Sequence, residues 1–229
     1  MEAGPASVRY AVRTSEGMSV LDTGRQAAGP GYGALERALG EMLAGRVRHG
    51  GALLAPFGIK FVVAGPADLP PAALQGLVRQ LDLDPVPAGG LTIFENSKAA
   101  PVAAVIRDPA WRQAATTPTT LAAERLLKPD ARALPRAGGR DEFAVPPTGA
   151  SSLILLAQQF DSHWRLEGGS APARPTRAFG WAVGFDPGQR SSAFEVRFHG
   201  QATRTVQIVL LTILWMAGLW VTRRPSHGS

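Results

Sequence analysis

Apolar and polar positions change period several times along the chain, and each change marks an expected element. Ser7–Thr14 alternates with Val8, Tyr10 and Val12 on one side, the period of a half-buried strand. Met18–Leu21 reads as its partner across the Ser15-Glu16-Gly17 turn. Gly29-Pro30-Gly31 then breaks the chain. From Ala34 the spacing becomes helical, with Leu35, Leu39, Met42 and Leu43 on one stripe and an end expected near Arg48–Gly50. Ala52–Pro56 reads as a short helical turn, Gly58 as a breaker and Ile59–Ala64 as a strand. Pro70–Leu81 returns to helix, with Pro71 in the first turn and Leu74, Leu77, Val78 and Leu81 expected to face inward. Leu83–Val86 and Leu91–Glu95 form an expected strand pair across Gly89-Gly90.

After Asn96 the pattern weakens. Val102–Ile106 reads as a strand and Leu121–Leu127 as a short helical piece, whereas residues 128–142 are rich in Pro, Gly and Arg, as loops and linkers are. Beyond Gly149, SSLILLAQQF is continuous enough for a buried strand. Trp164–Glu167, Arg177–Val183 and Ala193–Phe198 follow at the regular spacing of a β-sandwich. Phe194, Val196 and Phe198 point one way, Glu195 and Arg197 the other. The chain then turns apolar all round over Val206–Val221. The eighteen residues from Thr205 to Thr222 hold no charge and are bounded by Arg204 and by Arg223-Arg224. A helix of that length rises about 27 Å, close to the hydrocarbon thickness of a bilayer. The alternative is a helix buried in a soluble core, but only a polar tail follows it to wrap around. The expected fold class is therefore α+β: a small α/β layer over residues 1–106, an irregular linker over 107–150, a β-rich sandwich-like domain over 151–200 and one transmembrane helix over 205–222.

Composition narrows the setting. Hydrophobic residues make up 45% of the 229, enough for a core, and charged residues 18%, low for a freely soluble protein. Gly 26 and Pro 19 call for many turns. The net charge of +6 is spread from Arg9 to Arg224 with no dense run, so no nucleic-acid partner is expected. Cysteine is absent, which excludes disulfides, thiolate chemistry and Cys-ligated metals. The first residues, MEAGPASVRY, lack the basic and apolar regions of a signal peptide. The Arg223-Arg224 pair favours a cytoplasmic C-terminus, against an equally basic upstream side.

The search for chemistry finds scattered groups. His49, His163, His199 and His227 lie far apart without metal-ligand spacing, and Asp161-x-His163 is a weak pairing. The GPGYG run at 29–33 precedes a helix but lacks the Lys-Ser/Thr of a phosphate loop. Asp82/Asp84, Asp141/Glu142 and Glu36/Glu41 are carboxylate pairs that sequence cannot bring across a cleft, so solvated faces and turns account for them. There is no GxSxG. No catalytic, cofactor-binding or metal-ligating residue is assigned. Trp111, Trp164 and Trp181 could stack on sugar rings, although a tryptophan in a β-sandwich is more often core. Trp164 and Trp181 are the candidate glycan contacts.

GALLAPFGIKFVVAG (50–65) followed by GGLTIFENSKAAPVAAV (89–105) resembles the C-terminal soluble region of actinobacterial multi-pass membrane glycosyltransferases. A looser likeness runs to bacterial membrane proteins of lipoteichoic-acid glycosylation, through FDSHWRLEGG (160–169), RAFGWAVGFDPGQRSSAFEVRF (177–198) and a last membrane helix at QIVLLTILWMAGLWVTRRP (207–225). The resemblance covers Ala34–Val105 and Leu153–Pro225 and carries no catalytic residue; the family's nucleotide-sugar domain and multi-helix membrane bundle are missing. It implies a membrane-anchored, extracytoplasmic accessory region of a cell-envelope glycosyltransferase, non-catalytic by itself and binding glycan or a partner. The expected partners are the lipid bilayer and a multi-pass membrane glycosyltransferase or envelope glycan. The rival expectations are a single-pass membrane scaffold unrelated to sugar chemistry and a tail-anchored cytoplasmic protein.

Overall fold

The computed structural model describes residues 29–65, 69–138, 142–149, 151–168, 173–188 and 192–222, without the side chains of 201–207 and 220–222. The strand pair expected over 7–21 lies outside them. The described residues form a mixed α+β fold of three antiparallel sheets and five helices.

The first unit joins α1 (Pro30–Leu43), α2 (Gly50–Leu54), a 3-10 turn at Ala55–Phe57 and α3 (Pro71–Val78) to a sheet ordered β1 (Phe61–Ala64), β3 (Thr92–Asn96), β2 (Leu83–Val86). Its core gathers Leu35, Met42, Leu53, Leu54, Leu77 and Phe94. Gly29-Pro30-Gly31 starts α1 rather than merely breaking the chain, because Pro30 sits in the first turn, where its missing N–H loses nothing. On α3 the expected inward face is corrected. Leu77 is buried together with the small residues Ala73 and Gly76, while Val78 and Leu81 are exposed. Gly76 lets the α3 backbone lie directly against Leu43, so the helix packs through its small residues and turns its larger ones outward.

α2 has all five residues buried, so its free N-terminal N–H groups cannot reach water. Gln80 and Asp82 satisfy them from thirty residues away. Gln80 Oε1 accepts from Gly50 N at 2.7 Å, and the Asp82 carboxylate accepts from Gly51 N at 2.9 Å and Ala52 N at 2.7 Å. Asn96 Nδ2 donates to the carbonyls of Gly51 and Ile59, both at 2.9 Å. Asp82, one of the carboxylates singled out for chemistry, is thus a helix cap, 2% exposed.

The second unit is a sandwich with helices on its far side. A five-stranded sheet runs β5 (Ala131–Ala133), β4 (Ala103–Ile106), β7 (Leu153–Gln159), β10 (Ala182–Phe185), β9 (Thr176–Ala178), and a three-stranded sheet runs β6 (Glu142–Val145), β11 (Phe194–Phe198), β8 (Trp164–Glu167). Ile154 and Leu156 of β7 face the smaller sheet with Val105, Val183 and Phe185. Leu153 and Leu155 face the opposite way, onto Trp111 of α4 (Pro109–Ala115), Ala123 and Phe179. A strand covered on both faces reads as an unbroken apolar run, and β7 does.

Two domain boundaries are corrected. β4 belongs to the sandwich, paired with β7 from Ala103↔Leu156 to Ile106↔Leu153, and not to the α/β unit ending at 106. Residues 107–150, expected as an irregular linker, supply α4, a 3-10 turn at Thr120–Ala123, β5 and β6. Strands of three or four residues are too short to show a period. Their register comes from partners distant in sequence, as Arg197↔Glu142 shows. The single strand expected over 177–183 is two, β9 and β10, joined by a tight turn at Phe179-Gly180.

Among the described residues no helix is long and apolar enough to cross a membrane. This overturns the transmembrane helix expected over 205–222 and the fold class that included it. α5 (Gln201–Thr222) is a 22-residue helix whose described side chains, from Ile208 to Leu219, are exposed.

Replacing Asp82 by Ala leaves two buried N–H groups without an acceptor and is expected to cost about 3 kcal/mol in urea unfolding; Asp82→Asn, which keeps one acceptor, is expected to lose about half of that. Glu41 provides a pH test. The Arg46 guanidinium bonds its carboxylate at 2.7 and 2.9 Å and holds its pKa below the ordinary carboxylate value. A lowered pKa adds stability at neutral pH that disappears as pH falls through the folded value. Glu41→Gln is therefore expected to reduce the loss of stability on acidification, measured as urea midpoints on the acid side of neutrality.

Candidate functional site

The two units meet at Phe57, which packs into both the core of the α/β unit and the core on the helical side of the five-stranded sheet. Phe57 closes the buried GGALLAPF segment, so the Gln80–Asp82–Asn96 network that anchors this segment also sets the position of its ring. It stacks on Trp181 with centroids 4.5 Å apart and planes 11° from parallel.

Trp181 is placed by an unusual turn. Trp181 N donates to Ala178 O at 3.0 Å, closing a β-turn whose central residues, Phe179 and Gly180, have φ of 51° and 78°. Both values are positive, as in the type I′ turns that favour Asn-Gly. Gly180 is required twice, by its φ and because a Cβ there would lie 2.5 Å from Pro118 O. Phe179 holds a left-handed conformation that costs a residue with a side chain about 1 kcal/mol or more. The cost is offset by burial: its ring meets Trp111 edge-on at 5.9 Å, and its N–H donates to Ala115 O at 2.9 Å.

Around this stack lies a concavity of about 230 Å³. Leu35, Phe57, Ile59 and Ala157 make its apolar floor, Trp181 its wall, and Tyr32 and Gln159 its polar rim. The first turn of α1 forms the remaining side, through Gly31. A Cβ on Gly31 would come within 3.0 Å of Trp181 Cε3, so glycine allows the helix to start this close to the indole. Gln159 ends β7 opposite Ala182, where the ladder with β10 shifts register, and its side chain is exposed. Trp181 is only 5% exposed, yet its Nε1–H has no hydrogen-bond partner among the described residues. The arrangement offers an apolar and aromatic lining with the Tyr32 hydroxyl and the Gln159 amide at its edge, while the Trp181 Nε1–H is buried. It suits ligand binding, and it contains no nucleophile or acid–base pair.

The other residues drawn from the sequence lie elsewhere. Trp164, 3% exposed, packs between Phe143 and Phe198 in the sandwich core, away from the concavity. Trp111 is buried, and its Nε1 donates to Leu127 O at 3.0 Å. His163 bonds Asp161 and His199 bonds Glu167, each at 2.7 Å, on exposed loops and strand ends. The backbone N–H and ring of His163 hold Asp161 below the ordinary carboxylate pKa against a partial desolvation that acts the other way. His49 approaches Asp82 at 4.0 Å. Asp84 is exposed on β2 opposite Glu95, and Glu142 faces Arg197. Asp141 and His227 lie outside the described residues. No group of three or more His, Cys, Asp or Glu among the described residues is placed to hold a metal ion. A second concavity, about 400 Å³, lies on the outer face of β6–β11–β8. Its charged members are all paired, Glu195 with Arg197 at 2.8 Å and Glu167 with His199 at 2.7 Å.

Tyr32, Phe57 and Gln159 were not singled out from sequence. Compared with family models, with curated proteins and with solved structures, the chain matches none.

Phe179→Ala removes a fully buried ring and is expected to destabilise the chain by about 4 kcal/mol in urea unfolding.

Proposed function

We propose that this chain is a non-catalytic accessory module of a cell-envelope glycosyltransferase system, binding glycan at the Phe57–Trp181 concavity. One observation carries the reading: the ring and hydroxyl of Tyr32 and the exposed Gln159 amide border one apolar hollow beside the Phe57–Trp181 stack, at the junction of two packed units. Sugar recognition uses that combination, an apolar face of the ring against an aromatic and a few hydrogen bonds for the hydroxyls. The likeness of GALLAPFGIKFVVAG and GGLTIFEN to the soluble region of membrane glycosyltransferases supports the envelope setting.

The lipid bilayer is the second partner in this reading. Leu214, Trp215 and Met216 of α5 are 73%, 71% and 66% exposed, a surface that water solvates poorly and lipid accepts. The soluble units then work on the extracytoplasmic side.

A competing reading, an interaction protein unrelated to sugars, is favoured by Phe61 and Val63, exposed at 48% and 57% on the edge strand β1. Calorimetric titration of the detergent-solubilised full chain with envelope glycan fragments separates the two. The glycan reading expects saturable binding that Tyr32→Ala and Gln159→Ala each weaken several-fold. Binding to none of the fragments, or binding unchanged in both variants, refutes it. Protease digestion of the soluble units from outside intact spheroplasts is the expected result for localisation, and complete protection refutes it.

A further inference from the structure

The sheet of the α/β unit is open along one side. Among the described residues β1 pairs with β3 alone. Asn96 N donates to Lys60 O at 2.7 Å, and antiparallel ladders alternate. Lys60, Val62 and Ala64 therefore turn their backbone groups to β3, while the N–H and C=O of Phe61 and Val63 point off the free edge. The side chains of the same two residues are exposed on the outer face, where Val63 stands beside Ile93 and Ile93 beside Val86. Natural edges are guarded by charge. Here Lys60, next to β1, is drawn over the Phe61 ring at 5.2 Å and toward Glu95 at 3.6 Å. An apolar row beside open backbone groups is a template for an added strand.

We infer that this edge is occupied by the chain's own residues Ser7–Thr14, added to the sheet beside β1. The first argument is where the preceding chain arrives. Gly29 lies against Gln159, and Gly31, Gln159 and Ile59 line one hollow, so the chain ahead of α1 comes in close to Ile59, two residues before β1. The fourteen residues from Ser15 to Ala28 can extend about 46 Å at about 3.3 Å each, ample for that short distance. The second argument is pattern. Val8, Tyr10 and Val12 alternate with Arg9 and Arg13. Laid beside β1, that apolar side continues the row of Phe61 and Val63, and the basic side chains take the opposite face. The third is competition. A tether of this length holds the segment at about millimolar effective concentration, ahead of a second copy or a free peptide at micromolar concentration. The inference concerns the edge rather than the hollow and does not rest on the glycan reading; it closes β1 to other proteins.

The test follows amide hydrogen exchange in the ¹⁵N-labelled full chain in detergent. The Phe61 and Val63 N–H groups are expected to exchange about tenfold or more slower than unpaired amides. Successive N–H groups of a strand point to opposite sides, so the double substitution Arg9→Pro with Tyr10→Pro breaks a ladder on β1 in either register. It is expected to abolish that protection while the Leu53 and Leu54 amides of α2 keep theirs. The chain has no cysteine, so a spin label at Ala11→Cys is the only one attached. It is expected to broaden the Phe61 and Val63 signals of its own molecule, but not those of unlabelled ¹⁵N chain mixed with spin-labelled ¹⁴N chain. Exchange at the rate of unpaired amides overturns the inference, as does protection that survives both prolines. Broadening in the mixed sample assigns the edge to a second copy, and broadening in neither sample assigns it to another occupant; each overturns the inference too. Should the double proline variant also lose protection at Leu53 and Leu54, the spin label decides alone.

Discussion

A five-residue helix sealed inside a protein has more donors than it can satisfy alone, and α2 is such a helix. Its buried N-terminus is tolerable only because Gln80 and the Asp82 carboxylate arrive from the far end of α3 with three acceptor contacts, while Asn96 takes up carbonyls on the other side. Leaving such groups unpaired would cost about 1–3 kcal/mol each, a large share of the stability of a small unit. The network therefore ties the segment Gly50–Phe57 to α3, β2 and β3 at once. Everything that depends on Phe57 depends on it, including the stack with Trp181 and the seam between the two units.

The other half of that seam is built on a sheet with no solvent face at its centre. β4 and β7 are apolar at consecutive positions because one set of side chains meets the smaller sheet and the other meets α4 and Phe179. Covering on both sides leaves the end of the sheet, at Gln159 and Ala182, as the place where regular pairing fails. The ladder shifts there, and a positive-φ turn brings Trp181 back against Phe57. The concavity thus lies where two separately determined packings stop matching, as binding sites at unit junctions commonly do.

Much of this was legible in the chain where a single element declares itself. The Leu35–Met42 stripe, Pro71 in a first turn, the pair around Gly89-Gly90 and the run Leu153–Leu156 each carry a local signal, and each element is found. α4 carries a local signal too: Asp108 before Pro109 is an N-cap signature, and the Asp108 side chain accepts from Ala110 N at 2.8 Å. What could not be read was partnership. Nothing in Ala131–Ala133 or Glu142–Val145 announces a strand, since their order comes from β4 and β11. The inward face of α3 is hidden from a hydrophobic count, because Ala73 and Gly76 pack by allowing close approach while larger side chains turn outward. Transmembrane length was inferred from uncharged residues, while among the described residues no helix meets the requirement.

The candidate site was the hardest part to see, for a reason that applies to sites of this kind. Trp164 and Trp181 are indistinguishable by composition, both in short strands or turns of the same sandwich and both more than nine-tenths buried. They differ in what surrounds them. Trp164 lies between two aromatic rings within one core, whereas Trp181 forms the wall of a hollow lined by residues from α1, the 3-10 turn and β7. The more informative difference is the indole N–H. Trp111, equally buried, gives its proton to Leu127 O, showing that this fold can satisfy a buried indole when packing alone is at stake. At Trp181 it does not. The strained turn seals the indole against Phe57 and leaves its donor without an acceptor among the described residues, a cost that burial in the seam between the two units offsets.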